Sequence, residues 1–276
     1  MKTSKKLLFT DIDGTLLRSD QTISEETARL LSELASRGHG LILSSGRPLG
    51  SILKVYQYIC STLSSDFSTA CIIANNGAQV YDCNSAQTIL EKRIPLSLVD
   101  KLQELAEAFG IHIQTYTDTN IVCIREDAET RSYVKRVILP VILSPRLSDA
   151  LHGQSPYKML ALSLQGSETL MPFRQQLLKD YSGEVNCIFS GNGYLEIVRT
   201  GADKGNALQF LTEHLQIPIQ NTYAAGDSEN DLSMLAAAGH GYAMKNADKA
   251  IREAAMHVTR ADHNDGGINE ILTAML

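Results

Sequence analysis

Short apolar runs that stop at polar turns place the first constraint on this fold. Residues 6–10 (KLLFT) run straight into Asp11, residues 41–43 into Ser44-Ser45-Gly46-Arg47-Pro48, and residues 71–74 into Asn75-Asn76-Gly77. Runs this short read as strands buried on both faces. Between the first two, Ser24 caps a predicted helix with Ala28, Leu31, Leu34 and Ala35 on one face, and Gly38 stops it. Pro48 suits the first position of the next helix. This βαβαβ rhythm predicts a parallel sheet with helices on both faces.

Past Gly77 the rhythm changes. Residues 87–94 read as a strand, and Ser97 opens a helix carrying Leu98, Leu102, Leu105 and Phe109, closed by Gly110. Strands at 111–116 and 121–125, a helix at 127–138, and a stretch punctuated by Pro140, Pro145 and Pro156 follow. A strand at 159–164, a helix at 168–180 and strands at 185–189 and 194–198 complete an αββ-like pattern seen twice. Paired strands with intervening helices predict an α+β unit with an antiparallel sheet. From Asp203 the first rhythm resumes: helix 203–215, strand 222–225, helix 229–238, a strand near Tyr242, helix 247–255, strand 257–259 and a final helix. The expected organisation is an α/β core of 1–84 and 200–276, interrupted by an inserted domain at 85–199. A crevice between two such domains is a favoured place for a small molecule.

Composition narrows the classes of function. The chain has 276 residues, 43% apolar and 20% charged, which excludes a disordered or low-complexity protein. A net charge of −6 argues against a nucleic-acid polymer as the main partner. Cys60, Cys71, Cys83, Cys123 and Cys187 form no CxxC pair, so they read as small buried hydrophobes in a reducing cytoplasm. Lys2, Lys5 and Lys6 precede only Leu7, Leu8 and Phe9, too short a run for a signal peptide, and no apolar run approaches membrane length.

The chemistry concentrates at the run ends. In Asp11-Ile12-Asp13-Gly14-Thr15-Leu16 the two acids stand at i and i+2 at the end of an extended segment, so both are expected to project together from the sheet's carboxyl edge. Ligands of open α/β sheets bind at that carboxyl edge. Two carboxylates about 4 Å apart repel by about 4 kcal/mol at an effective dielectric near 20, so a positive partner is expected. A DxD turn is also compatible with simple loop capping. Gly226-Asp227-Ser228-Glu229-Asn230-Asp231 supplies a second acidic set, although Asn230 and Asp231 fall in a first helical turn, where acids complement the helix dipole. Together the two loops make an oxygen-ligand site suited to Mg²⁺. Ser45-Gly46, just before a helix, offers a hydroxyl and backbone N–H groups to an anion. Lys204 opens a helix where the dipole disfavours a cation; left unpaired there, it would be explained by a bound phosphate.

DIDGTL, the run ending in SSGRP, the lysine of ADKGNAL, and GDSENDLSML resemble the four motifs of the haloacid dehalogenase superfamily. Their order and approximate spacing are those of its Cof-type phosphatases, across nearly the whole chain. The resemblance implies a Rossmann-like α/β core with a cap inserted between the second and third motifs. It also implies a Mg²⁺-dependent phosphatase of small phosphate monoesters such as sugar phosphates. Asp11 would be the nucleophile, ionised at pH 7 as a free aspartate near 3.9 is, and Asp13 the general acid and base. Asp11, the Asp13 carbonyl and Asp227 would hold the metal, with Ser228 or Asp231 nearby. Ile12, Ser45, Gly46, Lys204 and Asn230 would bind phosphoryl oxygens. Two other functions fit the same motifs: a phosphotransferase or mutase of the phosphomannomutase-like type, and a non-catalytic phosphometabolite-binding protein.

The departures from the family pattern are small. Ser45 replaces the more frequent Thr, which keeps the hydroxyl. Gly267 stands where the family often carries a β-branched residue, a change expected to loosen the C-terminal loop. Arg47 reads equally as a substrate contact or as the partner of a nearby acid. Asn76 lines the crevice or simply shapes an Asn-Gly turn. Tyr116, Tyr157 and Tyr194 of the insertion face substrate or serve as core and surface residues, and the seven histidines lack metal-ligand spacing.

Overall fold

A computed structural model describes residues 4–117, 119–135 and 139–276. Their contacts divide the chain into one unit that runs to Leu90 and resumes over Asp203–Leu276, and a second, Glu91–Ala202. The chain begins with β1 (Leu7–Thr10), α1 (Glu25–Ser36), β2 (Gly40–Ser44), α2 (Leu49–Thr62), β3 (Ala70–Ala74), β4 (Gln79–Asp82) and β5 (Gln87–Glu91). Next come α3 (Leu96–Ala108), β6 (His112–Tyr116), β7 (Ile121–Cys123), α4 (Ala128–Val134), β8 (Val141–Leu143), β9 (Lys158–Leu162), α5 (Met171–Tyr181), β10 (Val185–Gly191) and β11 (Tyr194–Arg199). The last segment holds α6 (Lys204–His214), β12 (Thr222–Gly226), α7 (Leu232–Ala237), β13 (His240–Ala243), α8 (Lys249–Ala254), β14 (His257–Val258) and α9 (Gly267–Met275).

The first unit is built on an eight-stranded sheet in the order β14-β13-β12-β1-β2-β3-β4-β5. β1 pairs in parallel with β12 and β2, and β3, β13 and β14 extend the parallel run. The apolar runs are therefore the central strands, and their polar turns emerge at one carboxyl edge. Alternate residues feed opposite cores: Leu8, Leu41 and Leu43 join the cluster that includes α1, α2 and α9 side chains, while Leu7, Phe9 and Ile42 join that of α6, α7 and α8. Burial on both faces is why these strands lack polar alternation. Ser24 caps α1 as expected, its hydroxyl accepting from the Thr27 N–H at 3.1 Å. Pro48 stands at the N-cap instead of the first helical position, and α2 begins at Leu49.

The second unit carries a six-stranded sheet, β10-β11-β9-β6-β7-β8, antiparallel except for the β7–β8 pair. Leu98, Leu102, Phe173 and Leu177 from α3 and α5 pack on one face, and Tyr116, Ile121, Tyr133, Leu160 and Leu162 form a smaller cluster. β8 is absent from the sequence reading because Pro140 and Pro145 bracket a run too short to show a period. The helix expected at 127–138 is α4, capped by Asp127; residues 136–138 of that expectation lie outside the described residues. Residues 87–91 add β5 to the large sheet, so the second unit spans 91–202 where an insertion at 85–199 was expected. No described helix is long and apolar enough to cross a membrane.

Gly267 does not loosen the C-terminal segment. A Cβ there would sit 2.3 Å from the Ala261 carbonyl oxygen and 2.9 Å from the Met244 methyl, so the absent side chain allows close packing at the start of α9. Substituting Gly267→Ala is expected to destabilise the protein by about 1–3 kcal/mol, the usual cost of overpacking, read as a lower denaturation midpoint in urea.

Candidate active site

The turns after β1, β2, β3 and β12, with the start of α6, bring most of the residues singled out in the sequence to one edge. Asp11 leaves β1 with its N–H bonded to the Ala225 carbonyl at 2.9 Å, so the neighbouring strand fixes its backbone. The Lys204 ammonium lies 2.6 Å from Asp11 Oδ1 and 2.6 Å from Asp231 Oδ1 and is fully buried. Lys204 is thus not the unpaired cation expected at this helix start; two carboxylates offset the dipole that disfavours it. An ammonium has three N–H donors, and among the described residues one remains beyond these two bonds.

Asp11, Asp227 and Asp231 present oxygens that all lie within 4.8 Å of one another. Asp231 spends both of its own: Oδ1 on Lys204, and Oδ2 on the N–H groups of Asp227 and Ser228 at 2.9 and 3.0 Å. That capping box splits the helix expected at 229–238 into a 3-10 turn and α7. Asp227 Oδ1 accepts from the Thr15 hydroxyl at 3.0 Å, and the Ser228 hydroxyl stands 3.4 Å from Oδ2. Gly14 makes the approach possible: its φ is +74°, and a Cβ would meet Asp227 Oδ2 at 2.6 Å. Thr15 went unrecognised in the sequence because a threonine in a glycine turn carries no signal of its partner 212 residues away.

Three carboxylates around one ammonium are under-neutralised. Burial, opposed by Lys204 and reinforced by Asp231 and Asp227, pushes Asp11 well above the usual carboxylate range. Burial and then Asp231 push Asp227 up to about 7. Burial works against the Lys204 charge as well, but Asp11 and Asp231 outweigh it and hold the ammonium above its ordinary range. Asp11 thus binds its proton more tightly here than a free aspartate does, for want of further positive charge. A hard divalent cation supplies that charge, and oxygen donors suit it; the donor set fits such an ion.

Asp13 does not share this cluster. β1 ends at Thr10, so the i, i+2 projection expected of Asp11 and Asp13 lapses before the second acid is reached. Its half-exposed carboxylate pairs instead with Arg47, whose Nε lies 2.7 Å from Oδ2 and whose Nη2 bonds Oδ1. Of the two readings of Arg47, the acid partner is the observed one. The Ile12 side chain is wholly buried among core residues, which leaves its backbone alone near the edge.

The anion-binding candidates meet beside Asp11. Ser45 is buried, and its hydroxyl accepts from the Arg47 N–H at 3.2 Å. Asn76 is fully buried in the left-handed region, at φ 56° and ψ 39°, and its Oδ1 accepts from Asn230 Nδ2 at 2.9 Å. The other half of each amide, Asn76 Nδ2 and Asn230 Oδ1, is buried with no hydrogen-bond partner among the described residues. A Cβ on Gly46 would lie 3.1 Å from Asn76 Oδ1, so Gly46 lies close against the Asn76 amide. Buried donors without partners are costly unless a ligand meets them. In the insertion, Tyr116 is a core residue bonded to Tyr133, and Tyr157 stacks against Arg93 and bonds Glu91.

A sequence model of haloacid dehalogenase-like hydrolases matches residues 8–272, and the chain belongs to that family. It is 27% identical over 274 residues to 5-amino-6-(5-phospho-D-ribitylamino)uracil phosphatase YitU of Bacillus subtilis, with 96% of each chain covered. Against an HMP-PP phosphatase of Yersinia pseudotuberculosis it is 29% identical over 250 residues, 88% of this chain and 84% of that protein. Among solved structures, TM0651 from Thermotoga maritima matches with a TM-score of 0.80 at 31% identity, covering 99% of this chain and 98% of that one. A haloacid dehalogenase-like hydrolase from Bacteroides thetaiotaomicron matches at 0.83 and 26%, covering 99% and 100%.

The acid cluster predicts a pH-dependent stability. Asp227 binds its proton more tightly folded than unfolded, so it favours folding at low pH and subtracts from stability as pH rises from the ordinary aspartate range to about 7. Without divalent metal, Asp227→Asn is expected to raise Tm at about pH 8 and to leave it nearly unchanged at about pH 4. Mg²⁺ is expected to raise the Tm of the unsubstituted protein more at about pH 8 than at about pH 5, where protons compete for the same oxygens. Thermal denaturation followed by circular dichroism checks both.

Proposed function

We propose that this hydrolase is a Mg²⁺-dependent phosphatase of small phosphate monoesters, sugar phosphates or similar metabolites, acting through an aspartyl phosphate on Asp11. One observation carries the reading: Asp11 has Oδ1 fixed by Lys204 while nothing among the described residues bonds Oδ2, at a sheet edge that also holds unpartnered buried amides. An oriented carboxylate with one free oxygen is suited to attack, and the Asn76 Nδ2 donor and the third Lys204 proton are suited to the oxygens of a phosphoryl group. The phosphatase names of the Bacillus and Yersinia relatives support the same reaction class.

The steps follow from the side chains. Asp11 Oδ2 attacks phosphorus, the ester P–O bond breaks, and the electron pair leaves on the ester oxygen, which takes the proton that Asp13 brings to this step as a carboxylic acid. Asp13, now a carboxylate, takes a proton from water; that oxygen attacks the same phosphorus, the bond from phosphorus to Asp11 Oδ2 breaks with its electron pair returning to the Asp11 carboxylate, and phosphate departs. Ser45, the Gly46 and Ile12 backbone, Lys204 and Asn230 hold the phosphoryl oxygens throughout. Asp11, the Asp13 carbonyl and Asp227 would hold Mg²⁺, with Ser228 and Asp231 in supporting positions. Bound there, the ion would favour the ionised acids and neutralise phosphoryl charge.

Phosphate release from p-nitrophenyl phosphate and a panel of sugar phosphates with Mg²⁺ tests the reading. Turnover is expected to require Mg²⁺ and to fall to below about one-thousandth in Asp11→Asn, since removing a covalent nucleophile costs at least that much. Undiminished turnover in that variant sinks the mechanism.

A further inference from the structure

The loop after β1 ends in a feature that lies outside the four motif segments. Gln21 has a φ of +64°, a conformation that glycine or asparagine holds at lower cost. Its backbone sits in a closed turn: the Gln21 N–H donates to the Arg18 carbonyl, and the Arg18 N–H to the Thr22 carbonyl, both at 2.9 Å. Asp20 Oδ1 accepts from the Thr22 N–H at 3.1 Å and its hydroxyl at 2.5 Å, so the turn is secured without help from the Gln21 side chain. What that side chain does is reach back across the loop. Gln21 Oε1 accepts from Arg47 Nη2 at 2.9 Å, and Gln21 Nε2 lies 3.4 Å from Asp13 Oδ1.

The three side chains form a closed clamp. Arg47 grips both oxygens of Asp13, and Gln21 takes a further N–H of the same guanidinium. The Arg47 backbone is itself anchored at the anion-binding turns, its N–H on the Ser45 hydroxyl at 3.2 Å and its carbonyl accepting from the Asn75 N–H at 3.0 Å. A half-exposed carboxylate would otherwise sample several rotamers. Here its place is referred, through Arg47, to Ser45 and the turn after β3.

We propose that Gln21 is a positioning residue for Asp13, holding the Arg47 guanidinium so that the Asp13 carboxyl sits where a leaving-group oxygen must receive its proton. The inference rests on the phosphatase reading above. It concerns one step: as the ester P–O bond breaks, the electron pair moves to the leaving oxygen and the proton comes from Asp13 as a carboxylic acid, one oxygen of which stays on Arg47 while the other carries the proton. A phenolate is a poor leaving anion and needs that proton, whereas a dinitrophenolate leaves without it. Gln21 therefore matters for the first ester and not for the second.

Gln21→Gly removes the side chain and suits the left-handed backbone, so the fold is preserved. Wild type and variant are compared for kcat/KM on phenyl phosphate and on dinitrophenyl phosphate with Mg²⁺, because kcat/KM reports the step in which the leaving group departs. The expected result is a Tm no lower than wild type and a phenyl-to-dinitrophenyl ratio that falls about tenfold, a modest share of what misplacing a catalytic group can cost. A ratio within about twofold of wild type overturns the positioning role, whether both rates fall together or neither does. A wild-type protein inert toward both esters overturns the phosphatase reading, and the positioning role with it.

Discussion

One buried ammonium ties the functional edge of this protein together. Lys204 opens α6, yet its Nζ reaches Asp11 at the end of β1 and Asp231 before α7, so three segments far apart in sequence meet at one charge. Burying a lysine completely is tolerable only because two carboxylates surround it, and removing either would leave charge stranded in a low-dielectric setting. The same interaction leaves the cluster short of positive charge. One cation cannot neutralise Asp11, Asp227 and Asp231, and Asp227, pushed up to about 7, registers the deficit. On the function proposed above, a net acidic chain serves an anionic substrate in this way, since the acids would assemble a site for a cation and the cation would meet the phosphate.

The backbone makes that assembly possible. Four parallel strands deliver four polar turns to one edge, and their double-sided burial leaves the carboxyl ends as the place where polar residues gather. Close approach does the rest. Gly14 lets the loop after β1 lie against Asp227, and Gly77 lies against the backbone of Asp203, next to Lys204. A side chain at either position would push apart the groups that the chemistry brings together.

The second unit solves a related problem differently. Lys158 and Glu196 lie almost fully buried on adjacent antiparallel strands, 2.9 Å apart, with the Ser190 hydroxyl on Glu196 at 3.0 Å and the Lys158 ammonium 5.0 Å above the Tyr116 ring. A buried pair of this kind is weak evidence for stability and depends on good geometry and further hydrogen bonds. Nothing in the sequence joins a lysine in one strand to a glutamate 38 positions later; the strand register does so. In the first unit the buried lysine meets its acids across loops and a helix start; in the second the pair lies on strands of one sheet.

Much of the core was legible because its signals are local. Apolar runs without alternation, the Ser24 cap and the polar run ends identify the strands, the parallel sheet and the edge where Asp11, Ser45, Asn76 and Asp227 stand. Signals that need a partner were not legible: Thr15 bonded to Asp227, Gln21 bonded to Arg47, and β8 between two prolines. Three local inferences also failed where tertiary context took over. Lys204 is paired, Asp13 pairs with Arg47 rather than joining the acid cluster, and Gly267 tightens the segment it was expected to loosen. The sequence by itself determined which residues are acidic, basic or apolar at each run end, and hence the fold class and the kind of chemistry available. Only the tertiary structure decided which of them share a charge environment, because proximity across the parallel sheet, and the burial that shifts Asp11 and Asp227, arise only when distant segments pack.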